Sequence, residues 1–323
     1  MYGRMQFAGY VALLLTPAAL LFDAVVAPAN PLFGTGSVPL GIVLAGTVAA
    51  TTERRRLSPF DASGFDRTDA VDALAVAAGA VGTYVLSVDA GLGPVLASAL
   101  VGLTVGLAVP RVDGPVYCGS FVGMVSPTVV SSLEVVALAG LIAGLAFVAT
   151  AESFGGVGGK YGTIALCGCL VAVALTGADY AAGSALEWRL ASAIVPTAIV
   201  AAVATVGLRT RAGASSVVAS AAVGVVAGVV FPLVLPALGS TLALVAFCAS
   251  FVGMSSAERL ESAAQIAGAG FLCGLVFLAV TPALAGAGGK LGTTAFASCL
   301  AVAGALELRA VVRSSVRRVD FVR

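Results

Sequence analysis

The sequence predicts an all-α polytopic membrane protein of about twelve transmembrane helices, a two-helix hairpin followed by a 5+5 inverted-topology repeat with short or broken helices. Three observations predict it. First, 59% of the 323 residues are hydrophobic and 10% are charged, with a mean hydropathy of +1.08, whereas soluble domains carry roughly a quarter charged residues. Second, the charges fall at the edges of long uncharged runs, and a helix needs about 20 apolar residues to cross the hydrocarbon. Third, the chain repeats itself. The period-2 alternation of a transmembrane β-barrel is missing from the sequence.

Taken in order, the apolar runs place spans at 6–27 and 33–52, then at 70–88, 91–110, 115–131, 134–152 and 161–178. A second group follows at 190–208, 214–236, 239–254, 262–284 and 291–308. The domain reading is a hairpin (1–56), a cytoplasmic loop (57–69), a first repeat (70–181), a second repeat (182–308) and a basic cytoplasmic tail (309–323). Arg4 ahead of an apolar core, with Ala27 and Ala29 in an A-x-A arrangement, also permits reading the first run as a signal peptide. Either reading delivers Asn30 to the outside.

Orientation follows from the basic clusters at 53–56, 209–211 and 309–318, which stay on the cytoplasmic side of a cell membrane. With all three inside, the short segments 115–131 and 239–254 have to cross. The 46 uncharged residues between Arg211 and Glu258 leave room for two passes with a turn near 238–241.

The repeat is read directly. Residues 95–110, "VLASALVGLTVGLAVP", lie over 217–232, "VVASAAVGVVAGVVFP". From 117 to 170 the match runs ungapped at an offset of 130, with 24 identities in 54 positions, against about one in eight by chance for this composition. Each copy holds five spans. Five is odd, so the second copy enters the membrane from the opposite side, as in secondary transporters whose sites lie near the midplane.

Two motifs recur. "GGVGGKYGT" (155–163) and "GAGGKLGT" (286–293) contain the chain's two lysines, Lys160 and Lys290, against 15 arginines. A lysine is a compact charge on a flexible stem whose proton is released readily on burial. Gly159, Gly162, Gly289 and Gly292 permit close backbone approach, and Thr163 and Thr293 stand at helix starts whose free N–H groups favour anions. The blander reading is a glycine linker whose lysine snorkels to headgroups. A nucleotide P-loop is excluded, because Phe154 and Leu284 replace its first glycine and Tyr161 and Leu291 its Ser/Thr.

The second motif, "SFVGM" at 120–124 and 250–254, places Ser120 and Ser250 beside Gly123 and Gly253. Glycine there breaks a helix, and unwound backbone in a membrane is tolerated where it is buried or lines a polar cavity. Close packing by small residues is the competing explanation. Of the acidic residues Asp23, Asp72, Glu134, Glu152 and Glu307, most stand at span boundaries, and Glu134 and Glu152 have Ala264 and Pro282 as counterparts, so neither belongs to the repeated core. Six cysteines lie in apolar stretches without CxxC or histidine, which favours packing over metal or redox chemistry.

The sequence therefore points to a carrier or channel for a small solute or ion, its site between the repeats and an anion weakly favoured. The alternatives are cation- or proton-coupled transport with lysine as a resident charge, and a non-transporting scaffold. No enzyme activity, catalytic residue, metal site, cofactor or nucleic-acid partner is expected; the lipid bilayer is the expected surrounding, and a homo-oligomer stays open.

Overall fold

In the computed structural model, the described residues are 2–26, 37–56 and 64–320, all helix and connecting turns with no strand among them. Ala27, Ala29, Asn30 and most of the loop expected at 57–69 lie outside the described residues. Twelve α-helices follow one another among the described residues: α1 (Tyr2–Val26), α2 (Ser37–Arg56), α3 (Arg67–Tyr84), α4 (Pro94–Ala108), α5 (Asp113–Val122), α6 (Leu133–Ala149), α7 (Lys160–Thr176), α8 (Ala191–Ala212), α9 (Ser216–Val234), α10 (Gly239–Val252), α11 (Ala263–Val280) and α12 (Lys290–Asp320).

Among the described residues, six helical stretches are long and apolar enough to cross a membrane: Arg4–Val26, Arg67–Asp89, Trp188–Ala212, Ser216–Val234, Ala263–Val280 and Lys290–Arg313. The chain is a membrane-embedded helical protein. Large apolar side chains such as Leu15, Phe22, Val200 and Leu233 face outward, where lipid rather than water is their natural solvent.

Helix ends follow local chemistry. α3 begins before the apolar run because the Asp66 carboxylate accepts the N–H groups of Thr68 and Asp69, while Asp69 reaches back to the N–H of Asp66. Ser215 and Ser262 cap α9 and α11 in the same manner. At the carboxyl end α12 runs beyond the expected span to Asp320, so residues 309–320 of the tail continue the helix.

The segment 115–131 also departs from a continuous span. α5 stops at Val122, and residues 123–132 turn without helix. Ten residues rise about 15 Å, half the hydrocarbon thickness. Gly123 follows, packed on α3 with no room for a side chain, its missing Cβ lying against Thr83 Cβ at 2.8 Å. Beyond it, the backbone N–H of Ser126 is given to Gly286 O at 2.8 Å. α10 ends correspondingly at Val252, with Gly253 against Ala202 O and Thr205 Cβ, both at 2.5 Å.

The hairpin α1–α2 is antiparallel. Tyr10 donates to Ala50 O at 2.9 Å, and the Arg54 guanidinium lies over the Phe7 ring at 5.7 Å. It packs along α6, α7 and α12. The main core cluster is built largely from Ala and Val with Phe, Leu and Cys between them, and its alanines let helix backbones approach closely.

Candidate functional site

The two lysine motifs meet. A Cβ on Gly159 would strike Gly292 O and Phe296 N, and one on Gly289 would strike Gly162 O and Leu166 N. Residues 159–166 of α7 thus run antiparallel to 289–296 of α12, crossing where Gly162 faces Gly292. A Cβ on Gly292 would lie 2.5 Å from Gly162 Cα. Gly159 and Gly289 sit at φ 84° and 83°, in the left-handed region, immediately before their helices. These glycines are needed for the crossing itself, since any side chain would part the helices.

Each lysine turns back onto the helix that precedes it. Lys160 Nζ donates to Thr150 O (2.6 Å) and Ala151 O (3.3 Å) beyond the end of α6. Lys290 Nζ donates to Thr281 O and Ala283 O, both at 2.6 Å, beyond the end of α11. A cation at a helix carboxyl end satisfies free carbonyls and the negative end of the dipole. An ammonium has three donors, and the placement of the lysines beside cavities keeps the third relevant.

Two cavities flank the crossing. One, of about 470 Å³, is bordered by Lys160, Gly159, Phe147, Tyr161, Met254 and Arg209. The other, of about 380 Å³, is bordered by Lys290, Gly289, Gly292, Phe277, Met124 and Ser87. The linings correspond position by position: Phe147, Gly156, Gly159 and Lys160 stand 130 residues ahead of Phe277, Gly286, Gly289 and Lys290. Counted back with the offset of 122 that relates 95–110 to 217–232, Arg209 stands where the other copy has Ser87. Arg209 Nη1 donates to Gly253 O (2.8 Å) and Ser255 O (2.6 Å), which fixes it at the end of α10. Among the described residues, no carboxylate lines either cavity.

Phe121 and Phe251 border both cavities. With Tyr117 and Phe247 they form one buried aromatic cluster. Phe121 and Phe251 lie 4.7 Å apart at centroids, Tyr117 and Phe121 4.5 Å, and Phe247 and Phe251 4.7 Å, all tilted or edge-on, the geometry that ring quadrupoles prefer. Of the four rings, Phe121 and Phe251 face both cavities, and Tyr117 and Phe247 pack behind them.

The remaining expected residues lie behind these walls. Ser120 and Ser250 are fully buried. Ser120 pairs with Ser98 at 2.8 Å and donates to Tyr117 O; Ser250 pairs with Ser220 at 2.8 Å and donates to Phe247 O. Thr163 and Thr293 donate back to Gly159 O and Gly289 O inside their helices. Gly123 and Gly253 serve helix contacts, and Gly162 faces Gly292. Lys160, Lys290, Gly159, Gly289 and Gly292 are the expected residues brought to the cavities. Of the acidic residues, Glu134 sits at the exposed start of α6 and Glu152 is exposed in the turn beyond it.

Sequence reasoning missed two features. The aromatic partition was spelled out in "SFVGM", whose phenylalanine recurs exactly as its serine does, yet polar atoms drew the attention. The other is a pair of carboxylates outside the duplication. Phe154 and Leu284 are corresponding residues at φ 54° and 44°, a conformation costing a bulky residue about 1–3 kcal/mol. Phe154 N donates to Glu53 Oε1 at 2.7 Å, and Leu284 N to Asp23 Oδ2 at 2.9 Å. A hydrogen bond to a charged group contributes about 1.5–3 kcal/mol, enough to offset the strain. Glu53 also accepts both terminal nitrogens of Arg259, at 2.6 and 3.0 Å.

The described residues thus form a helical membrane protein with two cavities that share Phe121 and Phe251 in their linings. No protein-family model, curated protein or solved structure is significantly similar to this chain.

Proposed function

We propose that this chain is a membrane transport protein, a secondary carrier or channel, that passes a small anionic solute between the two cavities through the aromatic partition. The observation that carries the reading is the pair of cavities lined by corresponding positions of the two copies and meeting at Phe121 and Phe251. Lys160 and Arg209 in one, and Lys290 in the other, make both hospitable to negative charge. The apolar remainder of each lining supplies the burial that small-molecule sites use.

In this proposal the two halves, 70–181 and 182–308, are five-helix repeats of inverted topology, and the twelve helices belong to a cell-membrane protein with its carboxyl end in the cytoplasm. Three placements support that sense. α7 and α12 are antiparallel where they cross. Glu53, of the basic cluster 53–56, and Arg209, of the cluster 209–211, both attend the Lys160 loop. Ala310, beside the third cluster, borders a further cavity together with Ala49 of α2 and Phe154. All three basic clusters thereby gather at one end, where the Lys160 cavity opens to the cytoplasm and the Lys290 cavity to the opposite side.

The test is solute flux into liposomes for the parent, Lys160→Gln and Lys290→Gln, with stability in detergent measured alongside. Loss of anion flux in both well-folded variants is the expected outcome, and undiminished anion flux in both sinks the reading. A second reading has lysine as a resident charge displaced by a cation or proton, and the seating of each ammonium on two carbonyls favours it. That version expects uncoupled, leaky flux from the same variants.

A further inference from the structure

We propose that Asp23 and Glu53 of the amino-terminal hairpin are positioning residues that hold the two lysine loops, one at each end of the hairpin, in their cavity-lining conformation. The inference rests on the transport reading for what the loops do, and on geometry alone for how they are held.

Phe154 and Leu284 stand six residues ahead of Lys160 and Lys290, and both take a left-handed backbone conformation that bulky residues avoid. A duplication explains why the strain occurs twice. It does not explain why each strained N–H is met by a carboxylate, because Asp23 and Glu53 lie outside the duplicated region and occupy different helices.

The hairpin's length explains how one unit reaches both. Tyr10 and Ala50 mark a common level of the antiparallel pair. Asp23 lies 13 residues beyond Tyr10, and Glu53 three beyond Ala50 in the opposite direction. At 1.5 Å per residue the carboxylates are about 24 Å apart along the axis, most of the hydrocarbon thickness. The hairpin acts as a strut with an acceptor at each end.

Side chains reinforce both attachments. The Phe154 ring is fully buried, stacked on Tyr10 at 5.6 Å and edge-on to Phe296 of α12 at 5.4 Å. Leu284 packs with Leu20, Leu21 and Ala24 of α1. Each carboxylate is also close enough to attract the lysine of its own loop, Glu53 for Lys160 and Asp23 for Lys290. The loop is pinned from two directions: the ammonium holds its first carbonyls, and the carboxylate holds the N–H at its bend. The Glu53 end carries a further tie, since Arg259 bridges Glu53 and donates through Nε to Gly155 O at 2.9 Å.

The test reads each loop separately. Gly155 and Ala285 border the two cavities at corresponding positions, and a Cβ at Gly155 meets nothing within 4 Å. Single cysteines are placed at these sites after replacing Cys167, the one native cysteine that is not buried, and their reaction with a membrane-impermeant thiosulfonate is timed in detergent micelles. Asp23→Ala is expected to speed reaction at position 285 at least fivefold and leave position 155 within twofold. Glu53→Ala, measured against an Arg259→Met parent so that no guanidinium is stranded, is expected to do the reverse. Asp23→Asn, which keeps an acceptor oxygen, restores slow reaction. Equal acceleration at both reporters in each variant, or no change at either, overturns the proposal. Should the alanine variants fail to fold, hydrogen exchange on the unaltered protein decides: amides at 154 and 284 exchanging as fast as open loops overturn it, and helix-like protection supports it. Liposome flux of the parent is scored separately, so site-specific acceleration without any solute flux would retain the strut and discard the transport reading.

Discussion

Gly292→Ala probes the helix crossing on which both cavities depend. The new Cβ would lie 2.5 Å from Gly162 Cα, 3.0 Å from Gly162 N and 3.2 Å from Gly159 O, all backbone atoms that cannot rotate away. Carbon atoms rest about 3.5–4.0 Å apart, so α7 and α12 must separate by about 1 Å. Such overpacking costs about 1–3 kcal/mol, and the upper end applies because Gly159 and Gly289 interlock at the same crossing. Alanine's better helix propensity returns about 1 kcal/mol, leaving a net loss of about 2 kcal/mol. Gly82→Ala and Gly268→Ala are the controls: both lie in helices with nothing within 4 Å of the added carbon, so they gain up to about 1 kcal/mol. Equilibrium unfolding by detergent titration, followed by circular dichroism, should separate Gly292→Ala from either control by about 3 kcal/mol, the sum of these estimates. Gly162→Ala should match Gly292→Ala, and the double variant should cost less than the two together, because one separation accommodates both carbons. If Gly292→Ala proves as stable as Gly82→Ala, the crossing is not as close as described and the reasoning fails.

Further outcomes follow from the same geometry. Phe121→Leu should raise passive anion leak through liposomes by thinning the wall between the cavities, and a leak equal to the parent's would mean that the rings are not the barrier. Tyr117→Phe removes the 3.0 Å bond to Ser220 and should cost about 1 kcal/mol without altering flux, since Phe247 already occupies the corresponding place. Arg259→Met strands the Glu53 carboxylate, which is 3% exposed, and should lower unfolding stability by about 3 kcal/mol, with Arg259→Lys recovering part of it; an unchanged midpoint would remove the pair from the account.

How much was legible in the sequence differs between features for physical reasons. Helix order could be read because a long apolar run has few other solutions: each expected run falls on a helix, and among the described residues six helical stretches have the length and hydropathy to cross a membrane. Two ends differ from expectation, α12 running on to Asp320 and 115–131 ending at Val122, beyond which Gly123 packs on α3 and Ser126 meets Gly286, contacts between segments distant in the chain. The lysines and glycines stood out because they recur. Their partners did not: Lys160 and Lys290 bind backbone carbonyls, which every residue possesses and no sequence pattern marks.

Ser120 and Ser250 illustrate a second limit. A hydroxyl in an apolar span needs partners, and residue type cannot say whether they are a solute or the protein; here Ser120 and Ser250 donate to Tyr117 O and Phe247 O and pair with Ser98 and Ser220. Asp23 and Glu53 illustrate a third. Lying outside the duplication, they offered no repeat to notice, and their meaning comes from backbone N–H groups 261 and 101 residues away.

Hydrophobic burial and chain periodicity are local enough to be written in order along the chain, so the sequence by itself determined a helical membrane protein with an internal duplication. The tertiary structure decided which surfaces face one another: two glycine-bearing helix starts crossing closely, two phenylalanines shared by the linings of two cavities, and a hairpin reaching both lysine loops. Those are relations between segments brought together by packing, and packing is specified by shape in three dimensions that no single segment carries.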